Sequence, residues 1–135
     1  MDTINNLTEF LGTWTLLVES CKYEQGVPPV SATHVFSDAG SPNLLHFVVH
    51  WKEVDGKENH SEYDVLVDGS PHEINFNGYK MTVTASATEH KFKVFYERED
   101  CTIEFECDSA TGLMQLLMKN LLDGKWYNLH QTYRK

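Results

Sequence analysis

Apolar and polar residues alternate along most of this chain. Between Leu45 and Lys52, Leu45, Phe47, Val49 and Trp51 take one parity and His46, Val48, His50 and Lys52 the other. That period of two is the signature of a half-buried β-strand. After a turn at Asp55-Gly56, Tyr63, Val65 and Val67 alternate with Glu62, Asp64, Leu66 and Asp68. Asp68-Gly69-Ser70-Pro71 turns again. Ile74 and Phe76 follow, and Asn77-Gly78 suits a type I′ hairpin. Met81, Val83 and Ala85 then oppose Lys80, Thr82 and Thr84. Phe92, Val94 and Tyr96 oppose Lys93, Phe95 and Glu97, and Cys101, Ile103, Phe105 and Cys107 oppose Thr102, Glu104 and Glu106. Thr111-Gly112 and Asp123-Gly124 introduce the last two strands, predicted over 113–119 and 126–135.

Upstream, Trp14, Leu16 and Val18 alternate with Thr13, Thr15 and Leu17 in a strand predicted over 11–20, and a second follows at Ala32–Phe36. Residues 21–30 between them read as a loop, because Pro28-Pro29 suits neither helix nor central strand. Residues 1–9 are expected to make one helical turn, with Leu7 and Phe10 at helical spacing. The pattern gives about ten short strands in series with turn signals roughly every ten residues. An all-β fold follows, a single up-and-down antiparallel β-barrel, because closure removes exposed sheet edges. With 135 residues and no linker or repeat, one domain spanning 1–135 is expected.

Charge narrows the partners. The chain carries 11 basic and 20 acidic residues, a net charge of −9, which opposes nucleic acid and anionic membrane surfaces. No apolar run approaches the ~20 residues of a membrane helix, so no stable membrane insertion is expected. The N-terminal residues lack the charged-then-apolar layout of a secretory signal, which favours the cytoplasm. Three cysteines, Cys21, Cys101 and Cys107, leave at least one unpaired. Cys101 and Cys107 on one strand would stand about 20 Å apart, beyond disulfide reach. A reducing compartment fits. Asn6-Leu7-Thr8 and Asn59-His60-Ser61 match the glycosylation triplet but carry little without a signal peptide.

The opening Phe10-Leu11-Gly12-Thr13-Trp14, the strand count and the closing Gln131-Thr132-Tyr133-Arg134-Lys135 together resemble the calycin superfamily, and within it the intracellular lipid-binding (fatty-acid-binding) proteins. The resemblance covers the whole chain in layout and its two ends in motif. It implies a monomeric barrel closed near Phe10 and Trp14 that carries a small hydrophobic ligand, without a cofactor. In that family an Arg-x-Tyr on the last strand holds a carboxylate. Here the pair reads Gln131-x-Tyr133, so a neutral amide replaces the cation, which points to a neutral lipophile or to weak binding of a carboxylate. The family's helical lid between the first two strands is also absent: ten residues with two prolines cannot form two helices. An atypical family member or a lipocalin-like domain is implied, gated by a loop.

Parity places Phe47, Trp51, Tyr63, Phe76, Phe92, Tyr96, Tyr127 and Tyr133 inside. In a ten-stranded barrel such residues line a cavity rather than fill it. The candidate ligand-binding set is Gln131, Tyr133, Tyr63, Trp51, Phe47, Phe92, Tyr96, Arg98 and Gln115, with Arg98 also readable as an ion-pair partner on the rim. His46 and His50 lie about 13 Å apart on one strand face, too far to share a metal ion, and no metal site is expected. The chain lacks a Gly-x-Ser-x-Gly, a phosphate loop and a His-Glu-x-x-His, so it is read as a binding protein and not an enzyme. Two alternatives stay open. One is a barrel enzyme or haem-binding barrel using an inward histidine such as His72. The other is a filled barrel that works through its surface.

Overall fold

The computed structural model describes residues 7–76 and 78–135. Ten strands form one antiparallel barrel. In chain order they are β1 (Gly12–Leu16), β3 (Ser31–Asp38), β4 (Leu44–Lys52), β5 (Glu58–Leu66), β6 (Pro71–Phe76), β7 (Tyr79–Ala87), β8 (Lys91–Arg98), β9 (Cys101–Asp108), β10 (Leu113–Leu122) and β11 (Lys125–Arg134). A two-residue segment, β2 (Lys22–Tyr23), adds to β11.

The hydrogen-bonded order runs β5-β4-β3-β1-β11-β10-β9-β8-β7-β6. The two ends of that order are consecutive in sequence, and among the described residues no ladder joins them. The barrel is therefore nearly closed. Backbone bonds at the intervening turn, from Val67 N to Asn43 O and from Gly69 N to Ala85 O, both 2.8 Å, hold the seam together at one end.

Where the alternation is clean, the strands follow it. Burial along β4, β5, β7 and β8 has a period of two. The first predicted strand is broken. After Leu16 the backbone leaves the ladder, makes a 3-10 turn at Val18–Ser20, and returns to β11 as β2. Ser20 bridges the gap, its Oγ accepting from Thr132 N at 3.0 Å. Part of the expected 21–30 loop is thus a strand. The expected N-terminal helical turn is a 3-10 turn over Leu7–Phe10; residues 1–6 and Asn77 lie outside the described residues.

One end of the barrel is solid. Trp14 is fully buried and donates its indole N–H to Phe10 O at 2.9 Å. Around it Phe36 packs on Phe47 at 4.5 Å, stacks on Phe105 at 5.8 Å and meets Phe92 edge-on at 5.8 Å. Offset and edge-to-face contacts of this kind add to what burial alone supplies. Gly12 sets the corner that delivers Trp14. Its φ of 118° lies where side chains are strained, and a Cβ there would also meet the Lys135 side chain at 3.4 Å.

Candidate ligand-binding cavity

Above the aromatic plug the interior opens into a cavity of about 520 Å³. Its walls are mostly apolar: Ala32 and Val49 from β3 and β4, Ile103 and Phe105 from β9, Leu116 and Met118 from β10. Val27, Pro28 and Pro29 from the loop before β3, with Glu53 and Val54 from the β4–β5 turn, form the mouth. Val27 and Val54 are 69% and 64% exposed. The prolines stiffen this loop, and among the described residues no helix covers the opening.

Polar groups collect on one side. Because Leu16 pairs with Tyr133 and Leu129 with Tyr23, the end of β11 is held between two separate segments of the N-terminal run. This register brings three side chains into a chain of hydrogen bonds. Tyr133 donates its hydroxyl to Gln131 Oε1 at 2.8 Å, and Gln131 donates from Nε2 to Tyr23 Oη at 2.6 Å. The Tyr23 hydroxyl proton and the second amide proton of Gln131 have no partner among the described residues. Burial raises the pKa of Tyr133 and Tyr23, so both stay neutral hydroxyls. On the opposite side Tyr63 and Tyr96 share a buried hydroxyl–hydroxyl bond of 2.6 Å, and burial likewise holds both neutral.

His34 stands where cavity and plug meet. It shares a face of β3 with Ala32 and Phe36, and its ring abuts Tyr133 at 4.7 Å, Phe105 at 5.7 Å and Phe36 at 6.3 Å, all edge-on. Its Nδ1 is buried without a hydrogen-bond partner. Desolvation lowers its pKa to about 4, so the ring is neutral at pH 7. Among the described residues no lysine or arginine lines the cavity. The one carboxylate there, Glu53, sits at the mouth and accepts from Asn59 Nδ2 at 2.7 Å.

The structure gathers Gln131, Tyr133, Tyr63, Tyr96 and Trp51 around this cavity. Phe47 and Phe92 point inward but belong to the aromatic plug beneath it. Gln115 corrects the sequence reading. It is exposed on the outer face of β10, where its Oε1 accepts from Thr132 Oγ1 at 2.9 Å, because Leu116 and not Gln115 pairs with Gln131. Arg98 lies at an adjoining rim depression, held by Asp100 through two bonds of 2.5 and 2.9 Å and by the Tyr79 ring at 4.3 Å. Those partners hold its charge away from the cavity floor. His72 is also corrected: it is partly exposed and bonded to Asp68 at 2.9 Å, outside the barrel. His46 lies on the outer face with Asp64 and Glu62, and His50 stacks on His60 there. Cys21, Cys101 and Cys107 are free thiols.

Two contributors escaped the sequence reading. His34 was legible in principle, since it falls on the inward parity of Ala32 and Phe36. Tyr23 was not, because a two-residue strand leaves no periodic trace.

No family model and no curated protein sequence matches the chain. Solved structures do, over nearly its full length. A protein of M. tuberculosis superposes with a TM-score of 0.66 at 13% identity, covering 99% of each chain. Echinococcus granulosus fatty-acid-binding protein 1 gives 0.64 at 13% identity, covering 95% of this chain and 98% of its own. Zebrafish ileal bile-acid-binding protein, in complex with cholic acid, gives 0.61 at 15% identity, covering 94% and 98%. The class is a ten-stranded, nearly closed antiparallel β-barrel. Within that class, the fold is that of the fatty-acid-binding proteins and related lipid-binding barrels.

Proposed function

We propose that this protein binds and carries a small hydrophobic molecule inside the barrel. The observation that carries the reading is the division of the interior. A solid aromatic plug ends at an apolar cavity of about 520 Å³, and one wall of that cavity holds spare hydrogen-bonding groups. Burial of apolar surface at ~25 cal/mol per Å² supplies the affinity, and Gln131, with Tyr23 and Tyr133, orients the head group. Proteins with this fold include a fatty-acid-binding protein, a lipid-binding protein and a bile-acid-binding protein complexed with cholic acid. That supports a lipophile of this general class for the present chain. A carrier suits the site better than an enzyme: its polar groups are neutral hydroxyls, an amide and an imidazole disposed to hold rather than to attack.

The test is displacement of an environment-sensitive fatty-acid probe, read by fluorescence, on the wild type and on Gln131→Ala and Tyr133→Phe. Saturable one-to-one binding, weakened several-fold by both changes, supports the site. Absence of binding by any lipophile in a broad panel sinks it and moves attention to the outer surface.

A further inference from the structure

Resting on the carrier reading, a further question is the charge state in which the guest is held. The interior offers an anion little. The titratable groups around the cavity that His34 lines are Tyr133 on β11, which its ring touches, Tyr23 on β2, Tyr63 on β5 and Tyr96 on β8, with Glu53 at the mouth. Four are hydroxyls kept neutral by burial, and the fifth is an acid. Among the described residues no cation joins them on the cavity wall, and the whole chain carries a net charge of −9. A carboxylate moved into such a site without a counter-charge would bear a desolvation cost of several kcal/mol.

One group on this wall can change that. His34 is buried, reaches the cavity, and makes no hydrogen bond among the described residues, with Nδ1 left as an unsatisfied polar atom. Nδ1 is sealed inside the wall, so the ring nitrogen left for a guest is Nε2, which makes no hydrogen bond among the described residues. An unpartnered polar atom on the wall of an apolar cavity points to a guest as its partner. We propose that His34 is the head-group partner of the cavity, and that an amphiphilic monocarboxylate binds only together with one proton, taken up from solvent and held between its carboxyl group and the imidazole.

The balance is simple. Outside, near neutral pH, the guest is RCOO⁻ and His34 is neutral. Inside, the pair holds one proton more, as RCOOH donating to imidazole nitrogen or as RCOO⁻ accepting from imidazolium. No covalent bond forms or breaks. The guest's remaining acceptor capacity matches the Tyr23 hydroxyl and the second amide proton of Gln131, and the net charge added to the interior is zero. An alcohol of the same chain length satisfies the same donors and acceptors without a proton. The structure thus sorts lipophiles by protonation: alcohols bind independently of pH, and acids bind more weakly as pH rises.

The experiment is titration calorimetry with a saturated fatty acid and the matching alcohol at pH 7.5, in several buffers of different ionisation enthalpy. The expected result is uptake of about one proton per acid bound and none per alcohol. The acid's affinity falls about tenfold per pH unit above neutrality, and the alcohol's is flat. His34→Leu should weaken the acid tenfold or more and the alcohol less than threefold. Acid binding with no proton uptake overturns the proposal, as does an unchanged acid affinity in His34→Leu. The proton count needs no variant, so it stands even if His34→Leu does not fold. If neither compound binds while another lipophile of the broad panel does, this inference fails and the carrier reading stands; if nothing in the panel binds, both fail.

Discussion

The two halves of the barrel interior are built from similar residues and do opposite things. At the closed end Trp14, Phe36, Phe47 and Phe92 interlock at centroid distances of 4.5–6.5 Å, with Phe105 between them and the cavity it also lines. At the open end Tyr63, Phe76 and Tyr96 pack on one another just as closely, at 5.5–6.2 Å, but they do so along one wall of the cavity, which Trp51 also lines. Aromatic content therefore does not decide between core and pocket. Polar satisfaction does. The plug has one buried polar handle, the indole of Trp14, and it is bonded to Phe10 O. The open half has an incomplete chain of hydroxyl, amide and imidazole groups, with capacity left over. One half stabilises the fold by close packing, and the other gives up packing energy around an open cavity.

The largest effect expected from that contrast is on stability. Phe36→Ala removes a side chain that touches five other rings of the plug and its border, and should cost about 3–5 kcal/mol, the range for deleting a buried phenylalanine. Leu116→Ala, on the cavity wall, removes a side chain that already faces empty space, and should cost about 2 kcal/mol or less while enlarging the cavity. Urea unfolding of the two variants measures the difference. Equal losses would mean that the open half is as tightly packed as the closed one.

Next in size is the pH dependence of the empty protein. The folded-state pKa of His34 is depressed to about 4 from an ordinary 6.5. Between those values the unfolded chain takes up a proton that the folded chain refuses, so stability falls as pH is lowered from 6.5 to 4. Above pH 6.5 and below pH 4 this group contributes no slope. The shift corresponds to roughly 3 kcal/mol across the window. Denaturation series at pH 7, 5.5 and 4 should show this loss in the wild type and a shallower one in His34→Phe. Identical slopes would place His34 in contact with solvent and break the picture of a sealed wall.

A hydroxyl deletion is a smaller perturbation. Tyr63→Phe leaves the Tyr96 hydroxyl buried without its partner at 2.6 Å, and should cost about 1–3 kcal/mol. Added ligand should restore part of that loss only if the guest reaches this side of the cavity. Unfolding with and without a bound lipophile reads the outcome directly.

How much of this was legible in the sequence depends on what periodicity encodes. Parity tells inside from outside, and in β4, β5, β7 and β8 it did so cleanly. It does not tell depth along the barrel axis. Phe47 and Phe92 were rightly inward, yet they fall at the height of Trp14 and Phe36 instead of in the cavity. Depth follows from register, which no single strand reveals. β10 shows where parity itself fails. Its start, Leu113-Met114-Gln115-Leu116-Leu117-Met118, is apolar on both faces, so nothing in the strand says which way Gln115 points. Only pairing with β11 decides it. Tyr23 lies beyond reach for another reason: its position depends on the chain breaking away after Leu16 and rejoining β11 at Lys22.

The smallest expected effect isolates the site from the surface. Gln115 and Gln131 are the same side chain on adjacent, paired strands, one facing outward and one facing inward, and each is bonded to a hydroxyl. Gln131→Ala removes the link between Tyr133 and Tyr23, and should weaken binding of a fatty-acid probe about tenfold, the value of one buried hydrogen bond near 1.4 kcal/mol. Gln115→Ala removes an exposed bond and should leave affinity unchanged and stability within about 0.5 kcal/mol of wild type. Fluorescence displacement and thermal melting on the pair provide both readings. If Gln115→Ala weakened binding as much as Gln131→Ala, the guest would be on the outside of the barrel, and the open half of the interior would need another explanation.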